Sequence, residues 1–202
     1  MVDNSFYLCQ GYGELERNVM SDKQQLLIST ALDLFYKNGI NSVGINEVLK
    51  VSGVAKKTLY RYFDSKDALI IATLDQRHNI FISWLQSSVE NSVDNKEFIQ
   101  KLFSALTRWF NNQVPALVDF RGCYFINTAA EFTIQNEEIS DCCQQHKKNV
   151  RLMLKTQMPI FEQSLFELIC MLKEGAITSA YISQDLDAAE KCIAWALAHR
   201  DS

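Results

Sequence analysis

Lys56, Lys57, Thr58, Tyr60, Arg61 and Tyr62 fall within seven consecutive positions of the stretch VAKKTLYRYFDSKDAL, Val54 to Leu69. At 100° per residue, a helix here sets Leu59 and Phe63 on one face, with Lys57, Thr58 and Arg61 roughly opposite and Tyr60 and Tyr62 on the flanks. Such an outward face suits one chemistry above others. Lysine and arginine meet phosphates or guanine edges, and hydroxyls position a nucleic-acid backbone.

Other chemistries find less material. The three histidines, His78, His146 and His199, form no H-E-x-x-H or similar array, and His146 beside Lys147 and Lys148 reads as part of a solvated helix face. A glycine-rich phosphate loop is missing from the sequence, so no catalytic residue, no metal ligand and no cofactor is expected, and the chain does not read as an enzyme. The six cysteines (Cys9, Cys123, Cys142, Cys143, Cys170, Cys192) contain no C-x-x-C pair, which favours reduced thiols acting as small buried hydrophobes. The adjacent Cys142 and Cys143 are the one place where an oxidant-sensing thiol is suggested.

Holding the cationic face in place requires elements on either side of it. Leu27, Ala31, Leu34 and Phe35 recur at i, i+4, i+7 and i+8 and predict a first helix that stops at Asn38-Gly39. A short second helix is expected from Ile45 to Val51, capped by Gly44, with Glu47 suited to the helix dipole and Ile45, Val48 and Leu49 buried. Gly53 then allows a tight turn, and Val54 plugs the space between this helix and a third one over Ala55 to Phe63. Asp64-Ser65 caps a long fourth helix that runs through Ala72, Phe81 and Leu85 towards Val89. A short helix presented through a glycine turn suits the DNA major groove.

The charge distribution agrees with that placement. Residues 21–77 hold 8 Lys+Arg against 6 Asp+Glu, whereas residues 78–202 hold 11 against 15 in a chain whose net charge is −4. Only the first module leans basic, so binding to a polyanion should depend strongly on salt. With 202 residues, 48% hydrophobic, two prolines and apolar residues at helical rather than alternating spacing, the fold class is all-α. No apolar run approaches the roughly 18 residues of a membrane span, and MVDNSFYLCQ lacks the order of a signal peptide, so no membrane partner and a cytoplasmic location are expected.

The segments A-L-D-L-F-Y-K-N-G-I and I-N-E-V-L-K-V-S-G-V-A-K-K-T-L-Y-R-Y-F-D-S-K-D-A-L together resemble the N-terminal domain of the tetracycline-repressor (TetR) family. The resemblance runs from about Lys23 to Leu74. It implies a homodimeric transcription regulator, usually a repressor, with an N-terminal three-helix helix-turn-helix DNA-binding domain and a larger C-terminal helical domain for ligand binding and dimerisation. The corresponding division is 1–20 as an N-terminal extension, non-native or flexible, with Met20 as a possible native start; 21–66 as the DNA-binding domain; and 67–202 as the effector-binding and dimerisation domain. By matching position, Lys56, Lys57, Thr58 and Tyr60 would approach bases or nearby phosphates, Asn46 could reach the DNA, and Tyr62 and Lys66 fall where the family contacts phosphate. Lys57 replaces a frequent glycine or proline, and Ala55 replaces a frequent capping serine.

Helices can be drawn in the C-terminal half at roughly 95–113, 122–135, 137–158, 160–181 and 185–199, with Pro115 and Pro159 near starts. Arg121 to Phe132 resembles a stretch near the ligand cavity in some family members. Trp84, Trp109, Phe110, Phe120, Tyr124, Phe125 and Phe132 supply aromatic surface for a small hydrophobic or aromatic effector, with Asn127, Thr128 or Glu131 as polar anchors. The apolar surplus of the last two helices should dimerise, which selects an approximately palindromic operator. The competing reading is an effector-independent DNA-binding protein of the same fold, structural or associated with division.

Overall fold

The computed structural model describes residues 21–132 and 137–200. The expectations for residues 1–20 and for Cys9 lie outside these. Among the described residues the chain forms nine α-helices and one 3-10 turn, and the class is all-α.

The first helix, α1 (Asp22–Asn38), opens where the Ser21 side chain accepts the Gln24 N–H, and closes at Gly39, whose φ of 85° only glycine adopts readily. It buries Leu27, Ile28, Ala31, Phe35 and Tyr36. Helix α2 (Ile45–Ser52) follows, then α3 (Lys56–Tyr62) and α4 (Lys66–Val89). Of the three residues expected to anchor α2, Val48 is fully buried while Ile45 and Leu49 are half-buried. The remaining helices are α5 (Asn95–Phe110), α6 (Tyr124–Phe132), α7 (Glu137–Gln157), α8 (Gln163–Ile182) and α9 (Ala188–Arg200), with the 3-10 turn at Pro115–Leu117. Asp94 caps α5 by accepting the Glu97 N–H at 2.8 Å, and the Glu97 carboxylate reaches back to the Val93 N–H at 2.8 Å.

Helix α6 starts later than expected because Gly122 takes a φ of 78° just before it, and α8 starts only at Gln163. Pro159 therefore lies in the preceding loop, while Pro115 does open its 3-10 turn. The chain divides into two compact units. One ends at Asn79 and takes in Tyr124–Lys147; the other contains Ile80–Cys123 and the chain from Lys148 onwards. In the second unit, α5, α8 and α9 pack on one another.

Two readings of single residues are corrected. His146 is not on a solvated face: it is 2% exposed, its Nδ1 lies 2.9 Å from that of buried His78, and Phe125 stacks on its ring at 3.4 Å. Cys123, Cys143, Cys170 and Cys192 are buried thiols, as the reduced reading expects, whereas Cys142 is disulfide-bonded. Burial pushes the Cys170 and Cys192 thiols up, away from the reactive thiolate.

Candidate nucleic-acid interface

The cationic stretch is mounted on a buried anchor. Leu59 and Phe63 are 0% and 2% exposed, and each such side chain contributes about 2 kcal/mol by leaving water. The approach to α3 is set by Gly53, left-handed at φ 68°, whose N–H donates to the Leu49 carbonyl at 3.0 Å. Val54 then turns inward, its N–H donating to Ser52 Oγ at 3.3 Å. Ala55 begins α3 with extended backbone and no side-chain cap.

With that anchor inward, Lys56, Lys57, Tyr60 and Arg61 are exposed and Thr58 is half-buried; Asn46, in the first turn of α2, is exposed too. The Lys56 ammonium lies 5.9 Å from the Tyr60 ring centre, and Arg61 lies 4.8 Å from that of Tyr62. The Tyr62 hydroxyl accepts hydrogen bonds from Ser21 Oγ at 2.6 Å and Arg61 Nη2 at 2.7 Å. Those donors, Ser21 first, hold its pKa below the usual phenol value. Tyr62 thereby ties the end of α3 to the start of α1.

Lys66 is placed differently from the other cations. Its Nζ donates to the Ile40 carbonyl at 2.7 Å and lies over the Phe35 ring, with desolvation pushing its pKa down. Glu131, expected among the effector anchors, meets the same turn: its carboxylate accepts the Ile40 N–H at 3.0 Å and the Asn41 N–H at 2.7 Å. The spacing of sequence motifs holds no signal for this contact, because the partners are 90 residues apart.

The other effector candidates divide between the two units. In the first, the Tyr124 hydroxyl lies 2.8 Å from Thr73 Oγ1, and burial pushes its pKa up. Phe125 stacks on His146, Asn127 is half-buried, and the Thr128 hydroxyl is buried without a hydrogen-bond partner. In the second, Trp109 is the centre of a ring cluster with Phe120 at 4.9 Å, Phe81 at 5.4 Å, Phe110 at 5.8 Å and Trp84 at 5.9 Å. Its buried indole N–H has no hydrogen-bond partner. Phe81 was not among the expected residues, although it stands one helical turn before Trp84.

The family model of bacterial regulatory proteins of the tetR family matches residues 27–73, from within α1 through α2, the glycine turn and α3 into α4. Over these residues the chain carries a TetR-type DNA-binding domain. Curated proteins similar to this TetR-type segment include the HTH-type transcriptional regulator RutR of Escherichia coli, 35% identical over 72 residues, or 36% of this chain and 34% of that protein. The uncharacterized HTH-type transcriptional regulator YxaF of Bacillus subtilis is 30% identical over 92 residues, 45% of this chain and 48% of that protein. The matches thus span a third to a half of those relatives' length. Among solved structures, a TetR-family transcriptional regulator from Streptomyces coelicolor superposes with a TM-score of 0.74 at 24% identity, covering 88% of each chain. Reduced NemR from E. coli gives 0.71 at 20% identity, covering 86% of this chain and 95% of its own. These likenesses show that the TetR-like fold extends well beyond the matched N-terminal segment.

Proposed function

We propose that the chain is a ligand-responsive, sequence-specific DNA-binding transcriptional regulator, a repressor released from a palindromic operator by a small hydrophobic or aromatic effector. The observation that carries DNA binding is the outward face of α3, where Lys56, Lys57, Tyr60 and Arg61 are exposed above the buried Leu59 and Phe63. Asn46, Thr58 and Tyr62 border that face, and Lys66 serves it by holding the Ile40 turn from within. Residues 67–202 sense and pair, in a protein that works in the cytoplasm; no described helix is long and apolar enough to cross a membrane.

The effector reading is supported by the Trp109 cluster, whose apolar rings surround one unpartnered N–H donor. An aromatic ligand with a single hydrogen-bond acceptor matches that chemistry. Pairing is supported by α8, where Met171 and Ile182 are 72% and 71% exposed and Gly175 and Thr178 lie between them on the same side. Two copies related by a two-fold axis would set their α3 helices about 34 Å apart, in successive major grooves.

The deciding experiment is a gel shift, titrated with salt, on a duplex selected from a random pool by the parent chain. Lys57→Ala combined with Tyr60→Ala is expected to lower affinity at least about tenfold and reduce the salt slope by about one. Unchanged binding at every salt concentration removes α3 as the reading element.

A further inference from the structure

Glu131 belongs to α6, yet both its carboxylate oxygens are spent on the backbone of the turn between α1 and α2. Oε1 accepts the Ile40 N–H at 3.0 Å and Oε2 accepts the Asn41 N–H at 2.7 Å. Two consecutive amides converging on one anion make a small backbone nest, and charge-assisted bonds of this kind are stronger than neutral ones. From α4, the Lys66 ammonium holds the Ile40 carbonyl at 2.7 Å. Residue 40 is thus gripped by an anion on its N–H and a cation on its C=O, and its own side chain is 1% exposed. Gly39, with its φ of 85°, lets the chain leave α1 in the direction that presents these amides. A Cβ at position 39 would stand 3.5 Å from Glu131 Oε1, so glycine is needed there for its backbone angle and not for room.

We propose that Glu131 is a positioning residue, a latch through which α6 sets the stance of the helix-turn-helix by fixing the turn that precedes α2. This rests on the DNA-binding reading above. Five residues separate Gly39 from the start of α2 at Ile45, so freedom at Ile40 and Asn41 is passed on to α2 and, through Gly53, to α3. Along the chain α6 begins only four residues after Phe120, a member of the Trp109 cluster, so a ligand that moves Phe120 has a short covalent path to the latch. Releasing the latch leaves the outward cations where they were on α3 but widens the range of orientations the head samples, and binding must then overcome that added freedom.

Glu131→Ala and Glu131→Gln in the full chain test this, with the duplex selected by the parent as probe. Both variants are compared by salt-titrated affinity, well below their unfolding midpoints, and by amide hydrogen exchange. Glu131→Ala is expected to lose about tenfold in affinity with the salt slope unchanged, because no phosphate contact is removed. Glu131→Gln, which keeps one acceptor oxygen, should lose less. Exchange should accelerate at Ile40 and Asn41 and also along α2 and α3. A residue that only added stability would lower the unfolding midpoint and leave affinity intact, and that result overturns the proposal. Should the parent chain select no duplex, the DNA-binding reading fails, and exchange alone decides the latch. Acceleration reaching α3 then supports it, and acceleration confined to α6, or none, overturns it.

Discussion

Among single residues, Asp75 on α4 carries a carboxyl in a setting that disfavours its charge. Burial raises its pKa from 3.8 to about 6. A carboxyl whose folded pKa is raised binds its proton more tightly when folded. The stability it contributes is full below about pH 3.8 and is lost as pH rises through about 6. At neutral pH the ionised form therefore costs on the order of 2 kcal/mol, discounting for partial exposure. Asp75→Asn should raise the urea midpoint at pH 8, by an amount equivalent to about 1–2 kcal/mol, and leave it nearly unchanged at pH 4. Equal effects at the two pH values would contradict this account. Tyr124, also shifted upwards by burial, stays protonated across this range and so contributes no pH dependence of its own.

At the scale of elements, the first four helices were legible because each carries its own local signal: a capping Ser21, a stop at Gly39, a left-handed Gly53, and Ser65 Oγ accepting the Ala68 N–H at 3.0 Å. The assignment of Leu59 and Phe63 as anchor follows from helical period alone, and both are buried. What could not be read are contacts between segments far apart in sequence. His146, flanked by lysines, looked solvated because nothing local announces His78, and Glu131 looked like a ligand anchor because its amide partners carry no side-chain signature. Lys66 likewise reads as one cation among several until the Ile40 carbonyl is seen beside it. Helix α8 offers a test at this scale. Its outward side carries Met171, Gly175, Thr178 and Ile182, and a Cβ on Gly175 would meet no atom within 4 Å. Such a stripe permits close approach by a second copy. Sedimentation equilibrium of the parent at micromolar concentration should give twice the 23.1 kDa chain mass, and Met171→Glu should shift it towards the monomer. A parent that sediments as a monomer would exclude pairing through this helix.

For the whole molecule, the question is whether a small ligand binds in addition to the proposed DNA. A ligand held at a hundred times its Kd stabilises the native state by about 2.7 kcal/mol, enough to move the melting temperature by several degrees. A panel of lipophilic and aromatic compounds should contain members that do so, and Trp109→Phe, which removes the unpartnered donor while keeping a ring, should reduce the shift for those with a hydrogen-bond acceptor. A broad panel without one stabilising compound, beside intact DNA binding, favours the effector-independent reading. The 24% and 20% identities of the structural neighbours fit a fold whose packing pattern is kept while its sequence diverges.

Helix α3 is seven residues long and follows an N-cap, Ala55, that offers no side-chain hydrogen bond, so it is far below the length at which a helix persists alone. Its shape is imposed from beneath, by Leu59 and Phe63 and by the Tyr62 tie to Ser21. The exposed Lys56, Lys57 and Tyr60 lie outside that mounting and are consequently close to spectators in folding. On the proposed DNA-binding reading, the address displayed there can be rewritten residue by residue while the mounting stays untouched.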